Sequence, residues 1–588
     1  MESVEERFNR TDYCGNLRLK DVGRKVSLLG WVSKKRNLGS LLFIDLRDRE
    51  GYIQICVKTD EIKLPDIRNE YILEVEGIVS KKDVPNKNLA TGEVEVVASK
   101  IKVINTALQP PISTQEVTDA NEDIRLKYRY LDLRRNCMQK RFKIRANIVK
   151  ATHNYLDSHD FIEIETPYLS PSTPEGARDY LVPSRVHKGC FYALPQSPQL
   201  YKQMLMVSGF ERYYQIARCF RDEDLRADRQ PDFTQIDVET SFLNQDQILE
   251  LGEGLVSKIF KDVLNYDVKL PLRRMDYLEA VNKYGSDKPD TRFSMYLVDI
   301  KYILSKSEFK LYQENKYTKA IKVEGFAEYL SRKKQDAINL IAPKFNMKQF
   351  AYLKYVNGEL EGSIAKFISS VLKEELIKAM ELNNGDALII ATGNILRDIN
   401  FGLGAVRTQL AKELNLIKPN TYDLLWVVHF PLFEKSEETG EITPCHHPFT
   451  RPCDEDIDKL FTEPYNVYSY AYDIVINGYE AGGGSLRIYD QKVQEMIFKV
   501  LGFTEEDIQR KFGFFVESLK YGTPPHGGFA LGLDRLAMIL SGTDNIRDVI
   551  AFPKNLAAVD PVSNAPYEVD KEQLDKLGIE VIKEKDNG

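Results

Sequence analysis

CFRDEDLRADRQPDFTQIDVE, residues 219–239, decides how the chain is interpreted, because it combines strand-like flanks with an unusual density of charge. YYQIARCF, which runs into it, alternates polar and apolar residues, and FTQIDVET at its end does the same. In an extended strand, Ile236 and Val238 lie on one face, and Asp237 and Glu239 lie on the other. The pattern predicts an antiparallel hairpin with one apolar face and one densely polar face.

The polar face carries arginines and carboxylates where a solvated strand carries mostly Lys, Glu and Thr. Arg side chains clamp phosphates and carboxylates with two parallel hydrogen bonds, and acidic side chains hold ammonium groups or Mg²⁺. Arg221 and Glu223 share this face if the first strand extends that far. Charge pattern alone leaves two interpretations open: a surface that grips a polar ligand, and an exposed hairpin covered by salt bridges.

Composition places the chain among multidomain globular proteins. It has 588 residues, 43% of them hydrophobic, and a formal net charge of −7. Residues 1–110 hold 19 Lys or Arg and 17 Asp or Glu, so this part is weakly basic, whereas the rest of the chain is acidic. Seven cysteines without a CxxC pair indicate buried thiols in a reducing compartment. No apolar run reaches about 18 residues and no signal peptide is apparent, so we expect a cytoplasmic protein without a membrane span.

The order of secondary structure predicts an α+β multidomain chain. Residues 1–110 contain about five short strands, the spacing of an OB-type β-barrel that binds oligonucleotides, although a purely structural β-domain fits equally well. A Pro-bearing linker at 107–117 precedes an amphipathic helix at about 135–158 and a strand, FIEIET, which Pro167 ends. Lysine-rich helices and a strand pair in GDALIIATG mark residues 291–420 as an inserted α+β domain.

A second segment, HGGFALGLDRLAMIL at 526–540, places glycines beside a short apolar strand and Arg535 at the start of a helix. Glycine allows close backbone approach to a ligand, and an Arg near a helix N-terminus favours anions. The segment is no Walker loop, because GxxxxGK[ST] is not found in the sequence. A packing contact between helix and strand accounts for the glycines but not for the Arg.

Taken together, these motifs resemble the class II aminoacyl-tRNA synthetases, and among them the bacterial-type aspartyl-tRNA synthetases. The resemblance covers nearly the whole chain, including the inserted domain that distinguishes the bacterial type. It rests on five segments in the family's order: QSPQLYKQMLM (196–206), FRDEDLRADRQPDFTQIDVE, HHPFT (446–450), NGYEAGGGSLRI (477–488) and GLDRLAMILSGTDNIRDVIAFPK (532–554).

The resemblance implies a domain order built on an antiparallel catalytic sheet of the class II type. The expected domains are an OB-fold anticodon-binding domain at 1–112, a hinge linker at 113–140, the first part of the catalytic domain at 141–290, the inserted domain at 291–420, the second catalytic part at 421–560 and a C-terminal extension at 561–588.

The resemblance also implies a reaction and its partners. L-Aspartate and ATP, with Mg²⁺, give aspartyl-adenylate, and aspartate then moves to the 3′ end of tRNA-Asp. The sequence leaves open the charging of tRNA-Asn as well; Leu38 in the RNLGS turn resembles the strict versions of the family. The family further implies a homodimer in the cytoplasm.

For ATP, the resemblance implies phosphate contacts from the two catalytic residues, Arg221 and Arg535, and a magnesium ion held by Asp473 and Glu480. The expected ATP-binding residues are Arg221, Asp222, Glu223, Gln230, Glu480, Gly532, Leu533, Asp534 and Arg535.

For the amino acid, the resemblance implies a cationic pocket in which Lys202 and Arg487 hold the side-chain carboxylate. His446 and His447 are expected to close over the substrate, although adjacent loop histidines before Pro448 also fit a capped turn. The expected aspartate-binding residues are Glu175, Ser197, Gln199, Lys202, Arg221, Asp237, His446, His447 and Arg487.

For the anticodon, the family positions fall on Arg36, Phe43 and Gln54 of the barrel. An aromatic side chain can stack an unpaired base while Arg and Gln hydrogen-bond to base edges. Phe43 is equally compatible with a place in the barrel core, since strand parity alone does not decide.

Two alternatives remain at this stage. Asparaginyl- and lysyl-tRNA synthetases share the barrel and motifs, but the large insert and the pair Lys202 and Arg487 argue against them. A non-catalytic RNA-binding paralogue is the second alternative. Such paralogues usually lose motif residues. The motif residues present here are Arg221, Glu223, Glu480 and Arg535.

Overall fold

The computed structural model of the chain describes residues 8–62, 65–172, 176–436 and 439–582. Two compact units are distinguished, and each is described by itself. The first holds Met1–Ala146, Asp224–Pro231 and Thr543–Gln573. The second holds Asn147–Glu223, Asp232–Gly542 and Leu574–Gly588.

A closed barrel forms the beginning of the first unit, as predicted. Its strands are β1 Lys25–Leu38, β2 Leu41–Asp48, β3 Gly51–Lys58, β4 Ile72–Lys81 and β5 Val94–Asn105. The barrel closes because β1 pairs with both β2 and β4, while β3 and β5 pair in parallel. Leu42, Ile44 and Leu46 alternate along β2 and point into the core, so the intervening Phe43 faces outward. Strand parity therefore excludes the core position considered for Phe43.

Three helices follow the barrel, and a buried carboxylate ties them together. The helices are α1 Glu122–Lys127, α2 Arg129–Asp132 and α3 Asn136–Asp157. Asp132 is fully buried and accepts hydrogen bonds from Arg125, Arg129 and Arg135. Three guanidinium groups on one carboxylate hold the pKa of Asp132 below its usual value in spite of its burial.

The second unit is built around one eight-stranded sheet whose strands come from both sides of the insert. The elements before the insert are β6 Ile162–Glu163, β7 Leu181–Pro183, β8 Phe191–Ala193, α4 Gln199–Val207, β9 Arg212–Phe220, β10 Asp232–Ser241, α5 Gln245–Leu264, β11 Arg273–Asp276 and α6 Tyr277–Tyr284.

The insert forms a separate five-stranded sheet in the order β12-β13-β16-β14-β15, with helices packed against it. Its elements are β12 Leu297–Asp299, α7 Lys301–Leu304, α8 Lys310–Glu314, β13 Tyr317–Val323, α9 Arg332–Asn339, β14 Ala351–Val356, β15 Glu359–Glu361, α10 Ser370–Met380, β16 Ala387–Gly393 and α11 Leu396–Glu413.

After the insert the chain returns to the large sheet. The remaining elements are β17 Leu424–Val428, β18 Phe433–Lys435, β19 Ile442–Pro444, β20 Ala471–Ile476, β21 Tyr479–Leu486, α12 Gln491–Val500, α13 Glu505–Ser518, β22 His526–Gly532, α14 Leu533–Leu540 and α15 Lys571–Leu577.

The large sheet has the order β11-β17-β20-β21-β22-β10-β9-β6. All inner pairs are antiparallel, whereas the outermost pairs, β11 with β17 and β6 with β9, are parallel. The predicted antiparallel sheet is therefore confirmed in its centre and mixed at its edges. Trp426 on β17 is fully buried and packs where Gly252 of α5 leaves room.

Three local expectations differ from the structure. FIEIET supplies only the two-residue β6, because only Ile162 and Glu163 pair with β9. GDALIIATG forms one strand, β16, and not a strand pair. The first hairpin strand ends at Phe220, so Arg221 and Glu223 lie beyond it, in the connection to β10. Among the described residues, no helix combines the length and the apolar character needed to cross a bilayer.

We predict that Gly528→Ala damages the large sheet. An added Cβ atom would lie 2.1 Å from the carbonyl oxygen of Val238 and 2.4 Å from Glu239 Oε2. Overpacking of this kind costs about 1–3 kcal/mol, which lowers the thermal unfolding midpoint by roughly 2–10 °C. Gly393→Ala on β16 is the matched control, since its Cβ would meet only Ile399 at 3.7 Å. Equal midpoints for the two variants, measured by calorimetry, would contradict the packing described.

Candidate active site

Four buried charged side chains lie together on the face of the large sheet. Lys202 of α4 donates to Asp237 Oδ1 at 2.6 Å and lies 3.3 Å from Glu239 Oε2. Arg487, which directly follows β21, donates from Nε to Glu239 Oε1 at 2.9 Å and from Nη2 to Oε2 at 3.2 Å. All four side chains are at most 2% exposed. The hairpin is therefore not a solvated face, and the first interpretation of its charge pattern is the one that the geometry supports.

A glycine makes this arrangement possible. Gly528 on β22 lies opposite Glu239 on β10 and opposite Ser485 on β21. Because it has no side chain, the Arg487 guanidinium can reach across the middle strand to Glu239, and Ser485 Oγ accepts from Arg487 Nη1 at 2.7 Å. The alternation of FTQIDVET thus places Asp237 and Glu239 on a face where backbone approach, and not side-chain bulk, shapes the cavity.

The two cations of this cluster are paired with two carboxylates of the chain. Burial raises the pKa of Asp237, and Lys202 offsets only part of that increase. Burial also acts to raise the pKa of Glu239, but Arg487 and Lys202 outweigh it and keep that pKa below its ordinary value. Each cation therefore has a carboxylate partner within the protein, because an unpaired charge in a buried position is strongly unfavourable.

The residues expected around an amino group are placed beside Lys202 on the same helix or before it. Gln199 is buried, its backbone N–H donates to Ser197 Oγ at 3.3 Å, and its side-chain Nε2 has no hydrogen-bond partner among the described residues. An unsatisfied buried amide is the kind of group that a polar ligand completes. Glu175, the third such prediction, lies outside the described residues.

The histidine pair of HHPFT lies beside charged residues of this face, His447 near Arg487 and His446 near Asp473. His447 Nε2 is 2.7 Å from Arg487 Nη1, and burial lowers the pKa of His447 well below its usual value. His446 Nε2 is 3.6 Å from Asp473 Oδ1; burial lowers the pKa of His446, but Asp473 outweighs it and the pKa is raised. Buried His446 Nδ1 finds no partner within the described part of the chain.

The arginine of the hairpin, Arg221, lies just past β9 with its guanidinium 5.1 Å from the Phe233 ring centre. Its buried Nε has no hydrogen-bond partner in the described ranges. Asp222 is exposed, and its backbone forms an isolated antiparallel β-bridge with Arg178. Glu223 is half-buried. Gln230 belongs to the first unit, where its side chain exchanges two hydrogen bonds with the Lys554 backbone, at 3.0 and 2.8 Å.

The glycine–arginine segment places Arg535 on α14, where its Nη1 donates to the Glu480 carbonyl oxygen at 2.5 Å. Asp534 is buried and accepts the backbone N–H of Thr234 at 2.7 Å, so it fastens α14 to β10. Leu533 is fully buried and, like Gly532, can offer a ligand only its backbone. These predicted residues therefore differ in their contacts: Arg535 contacts the Glu480 backbone, and Asp534 contacts the backbone of β10.

Asp473 and Glu480 come from neighbouring strands, β20 and β21. An added Cβ at Gly483 would lie 2.0 Å from Asp473 Oδ1, so glycine there makes room for the carboxylate. Burial raises the pKa of Asp473, and Glu480 and Asp287 raise it further. Glu480 lies 3.6 Å from Lys288 Nζ. Carboxylate oxygens are hard donors that fit Mg²⁺, which uses one or two protein carboxylates together with substrate phosphates. The described residues contain no cluster of three or more His, Cys, Asp or Glu arranged as a metal centre.

Several residues of this site were missed by sequence reasoning. Glu239 could have been found, since the alternation that marks Asp237 marks it as well. Ser485 and His526 gave no such signal. His526 Nε2 lies 3.1 Å from Gln203 Oε1, and the residue contributes to the charge environment of Glu239.

The predicted anticodon residues share one groove on the barrel, of about 510 Å³. Arg36 Nη2 donates to Gln54 Oε1 at 3.2 Å, and Gln54 Nε2 donates to Glu95 Oε2 at 2.7 Å. Phe43 lines the same groove with Lys34 and Lys82. An outward aromatic among side chains that donate and accept hydrogen bonds suits an unstacked nucleotide base.

Comparison with known proteins matches both parts of the chain. The model described as "tRNA synthetases class II (D, K and N)" matches residues 121–556. The model described as "OB-fold nucleic acid binding domain" matches residues 26–104.

Relatives of nearly the same length exist in bacteria. "Aspartate--tRNA ligase" of Enterococcus faecalis is 50% identical over 583 residues, 97% of this chain and 99% of the relative. "Aspartate--tRNA(Asp/Asn) ligase" of a Geobacillus species is 50% identical over 589 aligned residues, 98% of this chain and 99% of the relative.

Solved structures share the fold at low identity. Asparaginyl-tRNA synthetase from Pyrococcus horikoshii in complex with asparaginyl-adenylate has a TM-score of 0.59 at 18% identity, covering 94% of this chain and 100% of that one. A putative aspartyl-tRNA synthetase from Leishmania major has a TM-score of 0.59 at 19% identity, covering 94% and 95%.

We predict that Lys202→Met destabilises the protein, because Asp237 and Glu239 would then share only Arg487. Removing one partner of a buried ion pair costs about 3–5 kcal/mol. Lys258→Met, which breaks an exposed pair with Asp262 at 2.8 Å, is the matched control and should cost about 1 kcal/mol or less.

The loss of stability in Lys202→Met should depend on pH. The pKa of Asp237 is raised by burial and rises further without Lys202, so a protonated Asp237 favours the folded state at low pH and this advantage disappears as pH rises through that pKa. The difference in unfolding midpoint between Lys202→Met and the unsubstituted protein should therefore be smaller at about pH 5 than at about pH 8. Equal unfolding midpoints for Lys202→Met and Lys258→Met at pH 8 would refute the balance of buried charges.

Proposed function

The chain belongs to the class II tRNA synthetases of the aspartate, lysine and asparagine group, and we propose that it joins L-aspartate to tRNA-Asp in an ATP-dependent ligase reaction. The observation that supports this most strongly is the compensated cluster of Lys202, Asp237, Glu239 and Arg487. Relatives at half identity over nearly the full length carry the aspartate–tRNA ligase name, which agrees with the chemistry of that cluster.

The cluster suits aspartate because its fixed charges mirror those of the amino acid. Lys202 and Arg487 offer donors to the side-chain carboxylate, and Asp237, with Gln199 and Ser197 beside it, accepts from the ammonium group. Glu175 is proposed for the same ammonium group on the family resemblance alone. Because the site is buried, a substrate group that leaves a donor unpaired is penalised by about 1–3 kcal/mol, which disfavours asparagine.

The first reaction step brings two anions together, since the aspartate carboxylate attacks the α-phosphorus of ATP and pyrophosphate leaves. Arg221, whose Nε is buried without a protein partner in the described ranges, holds the α-phosphate and the attacking carboxylate. Arg535 holds the far end of the triphosphate. Positioning and fixed charge do most of this work, because little proton transfer is required.

Further residues are proposed for the rest of the nucleotide and for its metal ion. Asp222 and Glu223 bind the adenosine part, and the backbone of the segment around Gly532 approaches the phosphates. Asp473 and Glu480 would hold Mg²⁺, which supplies positive charge to the phosphate oxygens. His446 and His447 cover the aspartate end of the site.

The barrel groove is proposed to bind the anticodon, with Phe43 stacking a base and Arg36 and Gln54 reading base edges. Two relatives that are each 50% identical to this chain differ in name: one is an aspartate–tRNA ligase and the other an aspartate–tRNA(Asp/Asn) ligase. Sequence identity therefore does not decide whether tRNA-Asn is charged as well. Leu38, exposed at the tip of the β1–β2 hairpin, is the feature that favours tRNA-Asp alone. We propose a cytoplasmic location, where the proposed substrates tRNA, ATP and aspartate occur together.

We also propose a homodimer. β6 forms the end of the large sheet, and large apolar side chains beside it are exposed. Ile162, Leu169 and Phe210 are 49%, 53% and 42% exposed, respectively. A second copy of the chain packed along this edge would bury them.

The activity is tested by pyrophosphate exchange with each of three amino acids in the absence of tRNA. We expect exchange with aspartate and at least about tenfold weaker kcat/KM with asparagine and lysine. Arg221→Ala should lower the exchange rate about a hundredfold or more, because it removes charge that acts on the reacting phosphate. Exchange with asparagine or lysine in preference to aspartate would overturn the proposal, and no exchange at all would favour a non-catalytic RNA-binding protein.

The division of labour between barrel and sheet is tested by Arg36→Ala. This variant should raise the KM for tRNA-Asp about tenfold or more, since each good base contact contributes about 1–3 kcal/mol. Aspartate-dependent pyrophosphate exchange should stay unchanged. Lys100→Ala is the matched control, because it removes a barrel cation that is paired with Glu76 at 3.1 Å outside the groove. Loss of exchange in Arg36→Ala, or an equal effect of Lys100→Ala, would contradict the groove assignment.

A further inference from the structure

A lysine that belongs to none of the predicted motifs lies beside the proposed ligands of the magnesium ion. Lys288 Nζ is 3.6 Å from Glu480 Oε2, and the two side chains are 41% and 42% exposed. The loop that carries it, residues 286–290, also packs against the turn between β20 and β21, because an added Cβ at Gly478 would lie 2.9 Å from Asp290 Cβ. The loop therefore borders the two strands that supply the proposed metal ligands.

Two cations converge on Glu480 from different parts of the chain. Arg535 Nη1 donates to the Glu480 backbone carbonyl oxygen at 2.5 Å, and Lys288 lies beside the carboxylate of the same residue. Arg535 is proposed to hold the far end of the triphosphate. Lys288 therefore lies at the same end of the site as Arg535.

The inserted domain holds the chain directly after this loop. Arg407 on α11 is 1% exposed and donates to the backbone carbonyl oxygens of Asp290, Phe293 and Met295 at 2.9, 2.9 and 3.0 Å, respectively. Its guanidinium also lies 3.9 Å from the centre of the Phe293 ring. A buried guanidinium bonded to three carbonyl groups leaves this stretch of backbone little freedom to move.

The beginning of the loop is confined by the same helix. Gly285, which ends α6, has a φ of 68°, in the left-handed region that favours glycine. An added Cβ there would lie 2.3 Å from the Asn400 carbonyl oxygen and 2.7 Å from Gly404 Cα, both on α11. Within the loop, the Lys288 backbone N–H donates to Ser286 Oγ at 3.1 Å. Lys288 thus stands on a short loop that is fixed before any ligand arrives, as a preorganised charge requires.

The contact between Lys288 and Glu480 is too weak to account for this construction. At 3.6 Å it is an ion pair without a good hydrogen bond. A pair of two half-exposed side chains contributes little to stability, because both groups remain solvated and are screened by salt. The ammonium group stands on a flexible four-carbon stem with three donors, so it can turn from a carboxylate to a phosphate without movement of the loop.

We propose that Lys288 is a further phosphate-binding residue: its ammonium group leaves Glu480 when ATP binds and contacts the oxygens of the β- and γ-phosphates. These two phosphates depart as pyrophosphate, and negative charge develops on them as the bond to the α-phosphorus breaks. A fixed cation at that end stabilises this charge. The departure of Lys288 also leaves the Glu480 carboxylate available as an oxygen ligand. This inference rests on the proposed function.

The test measures pyrophosphate exchange in the full-length protein with Lys288→Ala, Lys288→Arg and a matched control. Lys288→Ala should raise the KM for ATP and the KM for pyrophosphate by about tenfold or more, because a charged hydrogen bond to phosphate is lost. The KM for aspartate should stay within about twofold. Lys288→Arg keeps the positive charge and should hold all three KM values within about threefold.

Lys283→Ala is the matched control. Lys283 lies on α6, pairs with Glu279 at 3.6 Å and is 43% exposed, so it shares the distance and the exposure of Lys288 without lying at the site. Its substitution should leave the KM values for ATP, pyrophosphate and aspartate within about twofold.

A second readout does not depend on catalysis. Calorimetric titration with ATP in the absence of aspartate and tRNA should show a Kd about tenfold higher for Lys288→Ala than for Lys283→Ala. The thermal unfolding midpoints of these two variants should agree to within about 2 °C, because each removes only a half-exposed pair.

The failure of this inference can be told from the failure of the proposed function. If the unsubstituted protein shows no aspartate-dependent exchange, the proposed function fails. If exchange is present but Lys288→Ala behaves like Lys283→Ala, or Lys288→Arg loses as much as Lys288→Ala, only the role given to Lys288 fails. A lower unfolding midpoint in Lys288→Ala with an unchanged Kd for ATP would likewise overturn that role.

Discussion

The balance of two buried cations against two buried carboxylates is the constraint on which the rest of the site depends. Lys202 and Arg487 are held by Asp237 and Glu239 at distances of 2.6 to 3.3 Å, with almost no access to solvent. Removing one member of such a cluster strongly destabilises the fold, because the remaining charge would be buried without a partner. The cluster therefore fixes the positions of helix α4, strand β10 and the segment after β21 relative to each other, within one compact unit.

The same constraint explains why the centre of the sheet is rich in glycine. Charged side chains that reach across a neighbouring strand need a strand without side chains beneath them, and Gly528 and Gly483 supply that space for Glu239 and Asp473, respectively. The resulting cavity has a floor of backbone and walls of fixed charge. Fixed charge of this kind is suited to holding two anionic reactants together, because it does not have to reorganise when they arrive.

Much of the fold could be predicted from local pattern. The alternation in YYQIARCF and FTQIDVET predicted β9 and β10, and the five barrel strands followed from their spacing and turns. The prediction of a strand over FIEIET was too long, because alternation indicates which face a residue would occupy but not how far a partner strand extends. The outward position of Phe43 needed the structure, since parity had to be fixed against the neighbours Leu42 and Ile44.

The site was predicted less completely than the fold, for a physical reason. Arg487 and Glu239 are 248 residues apart, and their pairing depends on a three-strand register that a single sequence does not contain. The family resemblance therefore pointed to Lys202 and Arg487, whereas their pairing with Asp237 and Glu239 needed the structure. The setting of His447 is equally non-local, because its Nε2 lies 2.7 Å from Arg487, a side chain from another segment.

The most direct test of this account is a structure determined with a non-hydrolysable analogue of aspartyl-adenylate. The account predicts that the side-chain carboxylate of the analogue lies within hydrogen-bonding distance of Lys202 and Arg487 while Arg487 keeps both bonds to Glu239. An analogue whose carboxylate lies elsewhere, with the four charges still bonded only to each other and to protein groups, would contradict it.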